Sequence, residues 1–101
     1  MLAYRNTIEK IHRISERMLQ SSQQNEWQEV VDIEQERQLL LGQLASIEVR
    51  EPDPVSENLL QNIITINTEI EALSRQEMDN CRKEYNEVKN KKSAINAYSA
   101  F

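Results

Sequence analysis

Apolar residues recur along the first half of the chain at steps of three and four residues, the spacing of one face of an α-helix. One series predicts a helix over residues 2–21, and a second predicts a helix over residues 25–48. Asn25 is a suitable N-cap for the second helix, and Gln28 completes a capping box. Gly42 is unusual inside that helix, and a close approach by a neighbouring helix would explain it. The apolar positions are Tyr4, Ile8, Ile11, Ile14 and Met18, then Trp27, Val30, Ile33, Leu40, Leu44 and Ile47.

Two prolines separate this half of the chain from a third, longer helix. Pro52 disfavours a helical conformation in the residue before it. Asp53 can cap a new helix, and Pro54 suits its first position because the missing N–H has no helical partner there. The third helix is predicted over residues 54–98. Its apolar positions are Leu59, Ile63, Ile66, Ile70, Leu73, Met78, Cys81, Tyr85, Val88 and Ile95.

The predicted lengths indicate an all-α fold, an antiparallel three-helix bundle or hairpin with two shorter helices packed on one long C-terminal helix. Helices of about 20 and 24 residues are about 30–36 Å long, whereas one of about 44 residues is about 66 Å long. The half of the third helix from Met78 onward therefore has an apolar stripe without a partner in this chain. Such exposed stripes mark interaction surfaces. We predict one helical domain over residues 1–101.

Composition narrows the classes of function. The 101 residues carry a net charge of −5, which disfavours direct nucleic-acid binding because phosphates are neutralised by clustered Lys and Arg. No apolar run is long enough for membrane insertion or a secretory signal. One cysteine excludes an internal disulfide, and one glycine excludes a phosphate-binding loop. We expect a cytoplasmic protein.

Side chains capable of chemistry are few and scattered. His12 has no second histidine or cysteine at metal-ligand spacing, and Cys81 is expected to be buried and inert. Glu34 and Arg37 form either an ion pair at the edge of the second helix's stripe or a buried pair that sets helix register or contacts a partner. Five bases within residues 82–92 suit a helix C-terminus, with an acidic protein partner as the alternative. We predict no catalytic residue, no metal and no cofactor, so this is not expected to be an enzyme. The chain bears a faint likeness to all-helical chorismate mutases, but it lacks the cations that their dianionic substrate requires.

Three short motifs resemble the FliT family of flagellar export chaperones. The second helix reads N-E-W-Q-E-V-V-D-I-E-Q-E-R-Q-L-L-L over residues 25–41, similar to the family's W-x-x-[LV]-x-x-[LM]-E pattern. Residues 67–70, N-T-E-I, resemble its N-x-x-I segment, and residues 94–98, A-I-N-A-Y, resemble its N-N-x-Y close. The positions that match in the second helix are Trp27, Val30, Val31, Ile33, Glu34 and Arg37.

The resemblance implies a cytoplasmic chaperone that binds the C-terminal region of the flagellar filament-cap protein and delivers it to the export apparatus, including the export ATPase complex. In some bacteria, family members also bind the master flagellar transcriptional activator and repress it. Family members usually carry a fourth helix that covers the client surface, and this chain stops at Phe101. The client surface is therefore expected to be more available here.

A client helix would bind in an apolar groove through anchors spaced by one helical turn. We expect the protein-binding residues to include Trp27, Val31, Glu34, Ile66, Ile70, Leu73, Met78, Tyr85 and Val88. Three alternatives remain: a chaperone for the hook–filament junction proteins, the ATPase-associated coiled-coil protein, or a structural homodimer paired through the end of the third helix.

Overall fold

The computed structural model describes residues 2–48 and 53–99, with side chains described as far as residue 92. These residues form three α-helices and no strand: α1 (Leu2–Gln23), α2 (Trp27–Ala45) and α3 (Pro54–Ser99). The predicted all-α class is thus confirmed. The chain divides into two compact units, Met1–Glu71 and Ala72–Phe101. The single domain over 1–101 stays a prediction.

The first unit is an antiparallel bundle of α1, α2 and residues 54–71 of α3. One core cluster joins the end of α1 to the start of α2, and a second joins the start of α1 to residues 59–63 of α3. Leu40 contacts both clusters, so the two form a continuous apolar layer. The first cluster contains Ile14, Met18, Val30 and Ile33 with Trp27, Leu40 and Ile70 against it; the second contains Ile8, Ile11 and Ile63 with Tyr4, Leu40, Leu44, Leu59 and Leu60.

The turn between α1 and α2 corrects the predicted role of Asn25. Asn25 has a positive φ of 63°, and its N–H donates to Ser22 O at 3.2 Å. The Glu26 N–H donates to Ser21 O at 2.9 Å, which completes a Schellman motif that closes α1. Asn25 therefore ends the first helix, because asparagine tolerates the left-handed conformation. Glu26 is the N-cap of α2 and makes no side-chain capping bond.

The predicted start of α3 is confirmed. The Val55 N–H donates to Asp53 Oδ1 at 3.1 Å, and the Ser56 hydroxyl donates to Asp53 Oδ2 at 2.9 Å. Arg5 Nε donates to the same Oδ2 at 2.7 Å, which ties the beginning of α1 to the cap of α3. Burial opposes ionisation of this carboxyl, but the hydrogen bonds from Arg5, Ser56 and the Val55 N–H outweigh it and lower the pKa of Asp53 from its ordinary 3.8.

A pH dependence of stability follows from that lowered pKa. A carboxyl whose pKa is lower in the folded chain stabilises the fold above its unfolded pKa, and this stabilisation disappears as the pH falls through the folded value. We expect Asp53→Asn, which keeps a good N-cap, to reduce the loss of thermal stability below about pH 4. Thermal unfolding by circular dichroism would measure it, with exposed Asp79→Asn as the matched control. An unchanged acid profile in Asp53→Asn would contradict the assignment.

The explanation predicted for Gly42 is wrong. A Cβ built at Gly42 meets no atom within 4 Å, so no neighbouring helix requires a glycine there. Gly42 is exposed near the end of α2 and lacks a positive φ. Nothing in the packing of the described residues compensates for its low helix propensity.

Replacing Gly42 with alanine is therefore expected to stabilise the chain by about 0.8–1 kcal/mol, the difference in helix propensity between the two residues. Chemical denaturation followed by circular dichroism measures this change. The reverse substitution at an exposed position inside α3, Ala72→Gly, should destabilise by a similar amount. A destabilised Gly42→Ala variant would mean that the backbone there needs glycine for a reason other than space.

Candidate functional site

A groove of about 440 Å³ runs along the first unit between α2 and residues 67–71 of α3. Met18 of α1 contributes to its floor, where it is 3% exposed. Residues of α2 form one wall of the groove, and residues 67–71 of α3 form the other. The lining residues are Met18, Val30, Val31, Glu34, Gln35, Arg37, Asn67, Ile70 and Glu71.

The floor of the groove is apolar and its rim is polar. Val30 and Met18 belong to the first core cluster, and Ile70 packs against that cluster. Val31 is 51% exposed although it lies next to this buried surface. Exposed apolar surface continuous with a core is what a protein-binding site offers, because covering it removes further apolar area from water.

Arg37 lines the groove and makes polar contacts with all three helices. Its Nη1 donates to Asn67 Oδ1 of α3 at 2.5 Å and to Ser15 Oγ of α1 at 3.2 Å. Its Nη2 lies 2.6 Å from Glu34 Oε2 on the same helix. The Arg37 side chain is only 11% exposed, so these polar groups compensate for the removal of its charge from water. Arg37 is thus buried, whereas its partner Glu34 is 34% exposed at the groove rim; a role of the pair in helix register or in partner contact stays a prediction.

Two atoms of this network are incompletely satisfied among the described residues. Arg37 Nε is buried without an acceptor, and Glu34 Oε2 is buried with the ion pair but no well-aligned hydrogen bond. The other oxygen of the carboxylate, Glu34 Oε1, accepts a 2.6 Å hydrogen bond from Gln38 Nε2. Glu34 therefore stays fixed on the groove rim with its two oxygens engaged by neighbouring side chains of α2.

The residues predicted for protein binding are distributed over three environments. Val31, Glu34 and Ile70 line the groove together. Ile66 is buried at 9% exposure within the first unit, and Trp27 packs against the first core cluster. The others lie in the second unit: Leu73 is partly buried, and Met78, Tyr85 and Val88 are exposed.

The second unit carries an exposed apolar stripe. Met78, Tyr85 and Val88 follow one another at helical spacing and are 53%, 68% and 66% exposed. Cys81 lies on the same stripe and is exposed, which corrects the prediction that it is buried. Its thiol donates to Glu77 Oε1 at 3.5 Å, and this hydrogen bond, with partial desolvation, raises the pKa of Cys81 above 9.0. The thiol is therefore protonated near neutral pH and a weak nucleophile. The predicted apolar position Ile95 lies outside the side chains that the structure describes.

The remaining titratable groups show local pairings. His12 Nδ1 lies 2.9 Å from Glu16 Oε1, one turn away on α1. At the start of α2, hydrogen bonding and repulsion from Glu29 raise the pKa of Glu26. Within residues 2–48 and 53–99, no three His, Cys, Asp or Glu side chains are grouped closely enough to hold a metal ion. None of the helices in that part of the chain is long and apolar enough to cross a membrane.

A comparison with protein families tests the resemblance carried by the short motifs. The family described as "Flagellar protein FliT" matches residues 5–100, which is nearly the whole chain. The chain belongs to the FliT family. Neither the curated proteins nor the solved structures contain a significant match.

The match to the FliT family covers the groove, the Arg37 network and the exposed stripe of the second unit. It identifies a flagellar protein of a chaperone family, one not known for enzymes. Six of the nine groove-lining residues were not among those predicted for protein binding: Met18, Val30, Gln35, Arg37, Asn67 and Glu71. The apolar spacing in α1 assigned Met18 to the core, and only the packing of α1 against α2 shows that one side of it also forms the groove floor.

Proposed function

We propose that this FliT-family protein is a flagellar export chaperone that binds the C-terminal region of the filament-cap protein in the groove between α2 and α3. The observation that supports the proposal most directly is the half-exposed Val31 beside the buried floor of that groove. The chaperone works in the cytoplasm, keeps its client soluble and delivers it to the export ATPase complex. Membership of the FliT family supports this class of client.

The client is bound as an amphipathic helix. Its apolar anchors, spaced at i, i+3 or i+4, and i+7, cover Val31 and Ile70 and extend the existing core cluster. Glu34 and Glu71 on the rim favour a client with basic or neutral polar residues beside its anchors, because an acidic flank would meet like charge. Because Glu34 is held in place by Arg37 and Gln38, it also selects where along the client helix a basic residue must lie.

Calorimetric titration with a peptide from the C-terminus of the same organism's filament-cap protein tests this function. We expect saturable one-to-one binding, and Val31→Gln is expected to weaken it about tenfold, since a tenfold change is about 1.4 kcal/mol and covering one valine contributes a similar amount. The matched control is Leu39→Gln, which alters an exposed apolar residue of α2 outside this groove.

Absence of binding heat at several temperatures would set the filament-cap client aside. Peptides from the hook–filament junction proteins would then be titrated into the same groove, with the same two variants. A further role in repressing the master flagellar transcriptional activator requires that the chain bind that activator. If the activator and the filament-cap protein share the groove, a filament-cap peptide should weaken this binding.

The exposed stripe of Met78, Tyr85 and Val88 favours one other function, a structural homodimer. Light scattering after size-exclusion chromatography distinguishes the two. A dimer that Tyr85→Ser converts to a monomer would support pairing through this stripe, whereas a wild-type monomer at high concentration would exclude an obligate dimer. Replacing Ile64, exposed in the first unit, with serine is the control.

A further inference from the structure

A second groove, of about 460 Å³, lies on the face of the first unit formed by α1 and α2. Its floor is apolar: Ile14 is buried, Leu40 is partly buried and Leu39 is 72% exposed. At about 100° of rotation per residue, Glu34 of the first groove and Gln43 of the second point to opposite sides of α2. The second groove is therefore separate from the client groove. Its lining residues are Lys10, Arg13, Ile14, Arg17, Glu36, Leu39, Leu40 and Gln43.

Three cations line one wall of the second groove. Lys10, Arg13 and Arg17 follow the i, i+3, i+7 spacing of a single face of α1, and all three are exposed. Within the described part of the chain, none of them lies within 4.0 Å of a carboxylate. Glu16, their acidic neighbour, is engaged by His12, and Glu36 is the single acid of the groove lining. This positive row stands out in a chain of net charge −5.

We propose that this second groove, which we call the cationic groove, binds an acidic amphipathic helix of a partner protein. Lys10 and Arg17 are about 10 Å apart along the axis of α1, which is the length of two turns of a partner helix. Carboxylates at i, i+3 or i+4, and i+7 of that helix pair with the three cations. Its apolar face covers Leu39 and Leu40.

An acidic helix fits this surface better than a nucleic acid does. A phosphate backbone binds best to cations without a nearby acid, because a carboxylate repels it. Here Glu36 and an apolar floor line the same groove as Lys10, Arg13 and Arg17. Covering the exposed Leu39 side chain contributes binding free energy only when the group that covers it is apolar. Because the two grooves lie on opposite sides of α2, a client and the acidic partner bind at the same time. This inference does not depend on which client occupies the first groove.

The probe for the test is a capped peptide of about 20 residues with leucine at every third or fourth position, glutamate at the positions that face the three cations and alanine elsewhere, which favours a helix. Titration of the full, isotope-labelled chain is followed by amide chemical shifts. We expect shifts at residues 10–17 and 36–43, and affinity that falls as salt is added. The same peptide with lysine in place of glutamate is expected not to bind there.

Two variants and a matched control decide the assignment. Replacing Lys10, Arg13 and Arg17 together with glutamine is expected to weaken the acidic peptide about tenfold or more, and Leu39→Gln also weakens it. The control replaces three exposed lysines of the second unit, Lys83, Lys89 and Lys91, with glutamine, which changes the net charge equally. It should leave the affinity unchanged.

Three outcomes would overturn the proposal: equal weakening by both triple variants, shifts confined to the client groove, or tighter binding of a single-stranded oligonucleotide to the cationic groove than of the acidic peptide. Val31→Gln is expected to leave acidic-peptide binding unchanged. A failure of the filament-cap titration would therefore not be confused with a failure of the cationic groove.

Discussion

Replacing Arg37 with methionine is expected to lower the free energy of unfolding by about 2–4 kcal/mol. Methionine replaces the aliphatic stem of arginine but not its guanidinium, so the apolar part of the site stays filled. The substitution removes the donor to Asn67 Oδ1 and Ser15 Oγ and the counter-charge of Glu34. Buried polar groups that lose their partners are the main source of such losses, since water does not reach them readily.

Chemical denaturation of the Arg37→Met variant measures that loss. The control is Arg82→Met, because Arg82 is 73% exposed and lies 3.9 Å from Asp79, so its replacement should change stability by less than about 0.5 kcal/mol. A double variant, Arg37→Met with Asn67→Leu, is expected to lose less than the sum of the single changes because neither partner is then left unpaired. Additive losses would show that Arg37 and Asn67 do not interact in solution.

Replacing Ile8 with alanine is expected to destabilise the chain by about 3–4 kcal/mol. Ile8 is completely buried, and it packs with Ile11 and Ile63 in the core cluster that joins α1 to α3. Alanine leaves a cavity that the helices fill only partly, so the lost contacts add to the lost hydrophobic transfer free energy. Single domains are stable by about 5–15 kcal/mol, so this one change threatens the whole first unit.

Ile64 provides a matched control for Ile8. Ile64 follows Ile63 on α3 but is 56% exposed, so Ile64→Ala makes the same chemical change outside the core and should alter stability by about 0.5 kcal/mol or less. Ile8→Val should cost about 0.5–1.5 kcal/mol. Thermal and chemical unfolding measure all three variants. Equal losses for Ile8→Ala and Ile64→Ala would contradict the described core.

Local sequence signals predicted the helices and the start of α3 well. The spacing of Ile8, Ile11 and Ile63 identified core positions directly, because one buried face of a helix imposes that spacing. Asp53 and Pro54 identified the start of α3, because capping depends on adjacent residues alone. Asn25 was ambiguous, because asparagine serves both as an N-cap and as a residue with positive φ, and the choice depends on where the chain must turn.

The site was less predictable than the helices. The Glu34–Arg37 spacing indicated a pair, but the contacts with Ser15 and Asn67 come from helices distant in the sequence. Helical periodicity gives the direction of a side chain around its own axis and not the identity of its neighbour on another helix. For the same reason helical spacing places Lys10, Arg13 and Arg17 on one face of α1 but does not show that this face lies beside Leu39.

Trp27 gives this chain a built-in optical signal. It is the single tryptophan, its indole N–H donates to Asn25 Oδ1 at 2.5 Å, and its ring packs against the core cluster that contains Val30. Loss of that packing places the indole in water and moves its emission to longer wavelengths. Tryptophan fluorescence therefore reports the unfolding of the first unit alone, without any attached dye. The same indole lies near Val30, one of the residues at the floor of the client groove.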